Sequence, residues 1–359
     1  MLTALVILAI ITVSVVVHEL AHYLNARSVG VPVRAFSVGF GPILWRRRWK
    51  GTEWRLSALP LGGYVDLPGL AAEVGEDGKL KHPTEGLAKK NVWQKLWVLI
   101  GGVIANFLLA VLLLATAISA EPNYRAVTAD AALEGARALI VDVVPDSHAE
   151  ALGIEPGDVV VGLNEIESPS AEQVTAVIRE ADELSFVLAR DGELVELSTP
   201  WPPEHVDERP LLGVHVGAEL PSIAFSHALL EAASFFVGVV PEAVSGFARG
   251  VAQTVGGQGT DDLAGPVGIV MIAGEVAQLG IIPILFFAAI INFSLAIFNL
   301  LPIPALDGGR ILLTIVVAVR GKPFKPGQEE FIHFLGFVAL IGFLVLITFS
   351  ELGDLFRNG

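Results

Sequence analysis

His18-Glu19-Leu20-Ala21-His22 sets two imidazoles four residues apart, with a carboxylate beside the first. On a helix, positions i and i+4 share a face, so both rings can reach one ion and Glu19 can activate a water. The motif follows a run, residues 1–17, that carries no Asp, Glu, Lys or Arg. Ionisable groups at the end of such an apolar segment are costly unless they face a cavity or a metal. The competing reading is two histidines satisfied by packing between helices. The chain has no cysteine, which excludes disulfides, thiolate nucleophiles and Cys-ligated zinc or iron–sulfur sites. Any metal must be held by imidazole, carboxylate or other oxygen ligands.

A hydrolytic zinc site needs a third protein ligand and an open position for water. The candidate is Asp307, within the run Asn299–Arg310, NLLPIPALDGGR. Pro302 and Pro304 interrupt a helix just before the acidic residue, and broken backbone at membrane depth is tolerated only where it lines a protein cavity. Alone, Asp307 also reads as a turn residue before Gly308-Gly309. Beside the histidine pair it is the candidate carboxylate ligand.

The elements that carry these residues are membrane helices. Of 359 residues, 53% are hydrophobic and only 17% charged, and the mean hydropathy is +0.64. That is too apolar for a soluble globule and predicts a polytopic α-helical membrane protein. The net charge of −15 disfavours a nucleic-acid partner. Residues 1–17, 96–120, 276–306 and 331–350 are free of charge and predict about four transmembrane helices. The first lacks a basic flank before it and reads as a retained helix and not a cleaved leader. Residues 27–95 hold 12 of the 23 basic residues, Arg46, Arg47 and Arg48 among them, while residues 121–222 hold 5 basic and 21 acidic residues. By the positive-inside rule the first loop is cytoplasmic and the 121–222 segment lies outside.

Short β-branched runs at Ala138–Val144, Asp158–Leu163, Leu184–Ala189 and Leu194–Leu197 alternate with turns at Pro156-Gly157-Asp158 and Asp191-Gly192, predicting a small folded domain with one helix capped by Ser170. Residues 222–255 are apolar but interrupted by Glu231, Glu242 and Arg249 on one helical face, which predicts an interfacial helix, broken at Pro241, in preference to a fifth span. The predicted organisation is therefore 1–26 first transmembrane helix, 27–92 cytoplasmic loop, 93–120 second helix, 121–220 outer domain, 221–275 interfacial helix and connector, 276–330 third helix and cytoplasmic loop, and 331–359 fourth helix and tail. His82, His148, His205, His215, His227 and His333 lack ligand spacing and read as solvated or packing histidines; Asn106 and Asn292 read as interhelical glue, and Gly256–Thr260 as a connector.

Taken together, the chain resembles the site-2 proteases, intramembrane zinc metalloproteases, and within them the bacterial regulator-of-sigma-factor branch with a PDZ insert. The resemblance rests on the His18–His22 motif, Phe36–Pro42 (FSVGFGP), Leu59–Tyr64 (LPLGGY), Gly101–Asn106, Gly265–Ile269 (GPVGI) and the NLLPIPALDGG run. The stretch Val143–Val174 is similar to a PDZ domain of bacterial proteases. The resemblance implies zinc held by His18, His22 and Asp307, with Glu19 as general base. It implies that Asn299 helps position substrate and that Arg55–Val65 enters the membrane as a β-loop, with Leu59, Gly62, Gly63 and Tyr64 beside the substrate. Relatives in that branch often carry two PDZ domains and a His where this chain has Arg310.

The expected activity is hydrolysis of peptide bonds within transmembrane segments of single-pass membrane proteins, such as a trimmed anti-sigma factor or remnant signal peptides. The expected location is the bacterial inner membrane, with the lipid bilayer as partner and no nucleic acid. A divalent-metal transporter would also carry intramembrane His and Asp, but would not need Glu19 or a peptide-binding domain. A membrane-tethered PDZ scaffold would need the domain but not the three ligands.

Overall fold

The computed structural model describes residues 2–74, 80–121, 124–125, 136–190, 192–202, 211–220, 222–256 and 263–358. His205, Asp191 and residues 257–260 of the predicted connector lie outside the described residues. The chain forms two units, Met1–Leu114 with Phe236–Gly359, and Ala115–Phe235.

In the first unit, α1 (Leu2–Ser28) is apolar on all sides until His18, as expected of a helix facing lipid and protein together. It leads into two long strands, β1 (Ala35–Trp49) and β2 (Thr52–Asp66), joined at Lys50-Gly51, both with positive φ. Their register folds the pair on itself: Phe36 opposes both Trp54 and Val65, while Arg46 and Arg48 oppose Arg55 and Glu53. The hydrogen bond from Arg55 holds the half-buried Glu53 carboxyl below its usual range. Tyr23, Val31, Val33, Phe36, Leu67, Leu87 and Val98 form the core that seats this sheet against the foot of α1. Two short strands, β3 (Glu73–Val74) and β4 (Leu80–Lys81), pair next. Then α2 (Val92–Ala120) begins at a reciprocal cap, Asn91 Oδ1 accepting from Gln94 N at 2.9 Å and Gln94 Oε1 from Asn91 N at 3.3 Å.

The second unit is a six-stranded sheet. Its strands are β5 (Ala138–Val143), β6 (Val159–Leu163), β7 (Ile166–Glu167), β8 (Glu183–Arg190), β9 (Glu193–Pro200) and β10 (Val214–Ala218), in the order β10-β5-β6-β8-β9 with β7 paired to β6. Two helices accompany it, α3 (His148–Leu152) and α4 (Ala171–Glu180). The four runs read from the sequence as β-branched coincide with β5, β6, β8 and β9. Ser170 caps α4 through a full capping box with Gln173. Asp158 of the Pro156-Gly157 turn is wholly buried and paired with Arg190 at 2.8 Å, over a core of Ile140, Val160, Leu163, Leu184, Phe186 and Trp201.

The remaining helices are α5 (Phe225–Val255), α6 (Pro266–Leu279), α7 (Ile281–Leu300), α8 (Asp307–Arg320) and α9 (Gln328–Asn358). Five described helices are long and apolar enough to cross a membrane: α1, α2, α5, α7 and α9. The sequence predicts four, and α5 is the addition. Nor is α5 broken at Pro241. Phe236 packs against Phe107 and Phe293 on one side of the proline, and Phe247 against Phe298 on the other, so packing carries the helix across the missing N–H. Glu231, one of the three charges that predict an interfacial helix, is paired with Arg125 at 3.2 Å. The charge-free run 276–306 is likewise not one helix: Gly280, at φ +112°, separates α6 from α7, and Asp307 opens α8 instead of ending α7.

The GPVGI motif has a structural explanation. Glu351 on α9 accepts from the backbone N–H groups of Gly265 (2.7 Å), Val267 (3.1 Å) and Gly268 (3.1 Å), satisfying the open start of α6. A side chain at Gly268 would lie 2.7 Å from that carboxylate.

Candidate active site

α1 presents His18 and His22 one turn apart, and their Nε2 atoms lie 3.1 Å from each other. The chain then travels nearly the whole length of the sequence to add Asp307, whose Oδ2 is 3.0 Å from His18 Nε2 and 3.1 Å from His22 Nε2. Asp307 is brought here by the break between α7 and α8. Pro302 and Pro304 have no N–H to continue α7, Ala305 takes φ +83°, and its N–H donates to His333 Nδ1 at 2.9 Å. Gly308, Gly309 and Gly336 let this loop close on itself: a side chain on any of them would overlap the carbonyls of Leu301, Ile303 or Pro304.

The donor set fits a zinc ion. His22 Nδ1 donates to the Val98 carbonyl on α2 at 2.8 Å, which leaves its Nε2 with a lone pair directed at Asp307 and His18. Three electron-rich atoms thus crowd within 3.1 Å with the side chains largely buried. Crowding of that kind is unfavourable unless a proton or a cation sits among them. Ligand atoms each about 2.0–2.1 Å from a tetrahedral zinc are separated by roughly 3.3 Å, close to these spacings. Among the described residues, His18, His22 and Asp307 are the group that could hold a metal.

Glu19 sits between the histidines and β2. Gly63 comes so close to α1 that a side chain there would lie 3.6 Å from Glu19 Cγ and 3.5 Å from Val15 Cγ1, and 2.7 Å from the Ser37 carbonyl. The Val65 backbone N–H faces the Glu19 carboxylate, and Thr12 Oγ1 donates to the Pro60 carbonyl at 3.0 Å. β2 therefore runs along α1 from Thr12 to Glu19. Leu59 is exposed, Gly62 adopts φ +133° under the Phe40 ring, and Tyr64 Oη accepts from Arg55 Nη1 at 2.7 Å. Asn299, in the last turn of α7, donates to the Leu295 carbonyl at 3.0 Å and makes no described contact with the three candidate ligands.

Three contributors escaped sequence reasoning. His333, which lacks ligand spacing in the sequence, ties down the Asp307 loop. Val98 acts through its backbone carbonyl, for which sequence carries no signal. A cavity of about 490 Å³ borders the same loop, lined among others by Gly69, Lys95, Ala305, Arg310, Glu330 and His333.

The sequence model of peptidase family M50 matches residues 6–343. Among curated proteins, the chain is 30% identical to a protein of Agrobacterium fabrum, over 96% of this chain and 94% of that one. It is 30% identical to one of Nostoc sp., over 98% and 96%, and 31% identical to one of Rhizobium meliloti, over 97% and 96%. Each of the three carries the description "Putative zinc metalloprotease". With a match of this extent, and with Asp307 converging on the two histidines of a helical H-E-x-x-H motif, the chain belongs to peptidase family M50, the site-2 protease family of zinc metalloproteases.

Proposed function

We propose that this metalloprotease cuts peptide bonds inside the transmembrane segments of single-pass membrane proteins, with His18, His22 and Asp307 as zinc ligands and Glu19 as the general base. The observation that carries the proposal is the convergence of the three ligand atoms within 3.1 Å, the two histidines standing on a helix apolar enough for a bilayer, with an extended strand passing Glu19. A zinc ion held by His18, His22 and Asp307 would supply Lewis acidity for the scissile carbonyl. Glu19 takes the proton of the attacking water and later delivers it to the leaving amine. A substrate helix hides its amides in its own hydrogen bonds, so it must be unwound before cleavage. The Pro60–Val65 stretch of β2 offers backbone groups that replace those bonds by strand addition, with Gly62 and Gly63 allowing close approach and Leu59, Tyr64 and Asn299 flanking it.

The proposed topology has four crossings, with α5 lying at the interface. Ala72 donates to Glu330 and Gly265 donates to Glu351, two acceptors 21 residues apart on α9. At 1.5 Å per residue that is about 32 Å, the thickness of a bilayer core. Residues 72 and 265 then lie on opposite sides. Since α2 crosses once after residue 72, the chain is already on the Gly265 side when it leaves α2, and α5 need not cross. By the positive-inside rule Arg46–Arg48 favour the cytoplasm for the residue-72 side. The unit with the six-stranded sheet is then the outer domain, which we take as the single PDZ-like module, and the enzyme resides in the inner membrane. The substrate class is a membrane protein already trimmed outside, as in regulated intramembrane proteolysis.

The test is co-expression of tagged single-pass candidates with wild type and Glu19→Gln. Cleavage by wild type and none by the variant supports the proposal. Equal cleavage by both would remove Glu19 from the chemistry, and no cleavage of any membrane-embedded candidate would point to loop substrates instead.

A further inference from the structure

α2 turns one stripe toward the metal ligands: Val98, Gly102 and Asn106, spaced by four residues. Val98 gives its carbonyl to His22 Nδ1. Gly102 gives space, since a side chain there would lie 2.5 Å from His18 Nε2 and 2.6 Å from Nδ1. Asn106, 1% exposed, sets its carboxamide 3.3 Å from His18 Nδ1, and its Oδ1 has no hydrogen-bond partner. With Nδ2 toward the ring, Nδ1 would have to accept, the ring proton would sit on Nε2, and that nitrogen could not hold a metal. A carboxamide is nearly symmetric in shape, and a half turn about its terminal bond exchanges oxygen for nitrogen. The unpartnered oxygen then accepts from His18 Nδ1–H, and the Nε2 lone pair is free to face Asp307. The amide NH₂ would then need an acceptor of its own, such as the carbonyl four residues back that Asn292 and Asn299 use at 2.8 and 3.0 Å.

We propose that Asn106 is a positioning residue that holds His18 as its Nδ1–H tautomer by accepting that proton at Oδ1. Both zinc imidazoles are then oriented from α2, one by a backbone oxygen and one by a side-chain oxygen. Such partners of metal-bound histidines typically contribute 10–100-fold in metal affinity. The inference rests on the ligand assignment made above, and the experiment separates the two.

Zinc affinity of the purified full-length protein is measured by chelator competition for wild type, Asn106→Leu, Asn106→Asp, Asn292→Leu and Asp307→Ala. Asn106→Leu fills the same volume without an acceptor and is expected to bind zinc about 10–100-fold more weakly. Asn106→Asp keeps an oxygen toward Nδ1 and is expected to stay within a few-fold of wild type. Asn292→Leu, which loses a buried amide away from the ligands, is expected to leave affinity unchanged. If the leucine variant does not fold, Asn106→Ala serves the same comparison. Wild-type affinity in the acceptor-free variant, or equal loss in the leucine and aspartate variants, overturns the tautomer role. Wild-type affinity in Asp307→Ala overturns the ligand assignment itself.

Discussion

At the scale of single residues, the site is made of atoms whose second bonds are already taken. His22 is committed through Val98 to present Nε2, and Asp307 reaches both histidines with one oxygen. Asp307→Ala removes the one charged ligand and is expected to cost zinc retention and all measurable activity, read by metal analysis of the purified protein together with a cleavage assay. Stoichiometric zinc and full activity in that variant would discard it as a ligand. Gly102→Ala should act on the same site from α2 by pressing on the His18 ring, lowering zinc affinity while the helix itself gains propensity. The histidine pair could be read from the sequence because its spacing is local. The His22–Val98 and Ala305–His333 bonds could not, because they join residues 76 and 28 positions apart and each uses a backbone group.

Between elements, function depends on two close approaches that glycine permits. β2 lies against α1 at Gly63, where a branched side chain would collide with the Ser37 carbonyl and push the strand from Glu19. Gly63→Val is therefore expected to retain zinc yet lose about 100-fold in turnover, the order of loss for a misplacement near 1 Å. Loss of zinc along with activity would show that the strand supports the ligands instead. α6 is held at its start by Glu351, and Glu351→Ala leaves three N–H groups without their acceptor. A lower thermal midpoint is expected, with roughly 2 kcal/mol of stability lost. Apolar helices, the Ser170 cap and the four β-branched strands were legible because each depends on nearby residues. Pro241 misled because a proline breaks a helix only where packing does not carry it through, and the Phe236 and Phe247 contacts cannot be read from spacing. The break at Gly280 hid in a run whose composition is uniformly apolar.

For the whole molecule, the bilayer decides which surface meets which compartment. The absence of cysteine makes labelling simple. In intact cells, Gly51→Cys should be protected from an impermeant thiol reagent, while Gly192→Cys and Ala264→Cys should react. Protection of Ala264→Cys alone would make α5 a crossing helix, and reversal of the first two would overturn the orientation drawn from Arg46–Arg48. Among the described residues, the domain built on the six-stranded sheet offers no ligand-like cluster, and residues 121–222 carry 21 acidic side chains. We expect it to select substrates by size. Replacing residues 125–218 with a short Gly/Ser bridge should admit untrimmed substrates, whereas slower cleavage of trimmed ones would make it a receptor for their new C-termini.

The central claim is tested most directly by mapping the cut. Purified enzyme and a single-pass substrate are reconstituted together in a bilayer with ¹⁸O-labelled water, and the fragments are read by mass spectrometry. The account predicts new termini within the membrane segment, one heavy oxygen in the new carboxylate, and no product from Glu19→Gln. Cleavage confined to a loop, or undiminished cleavage by Glu19→Gln, would contradict it.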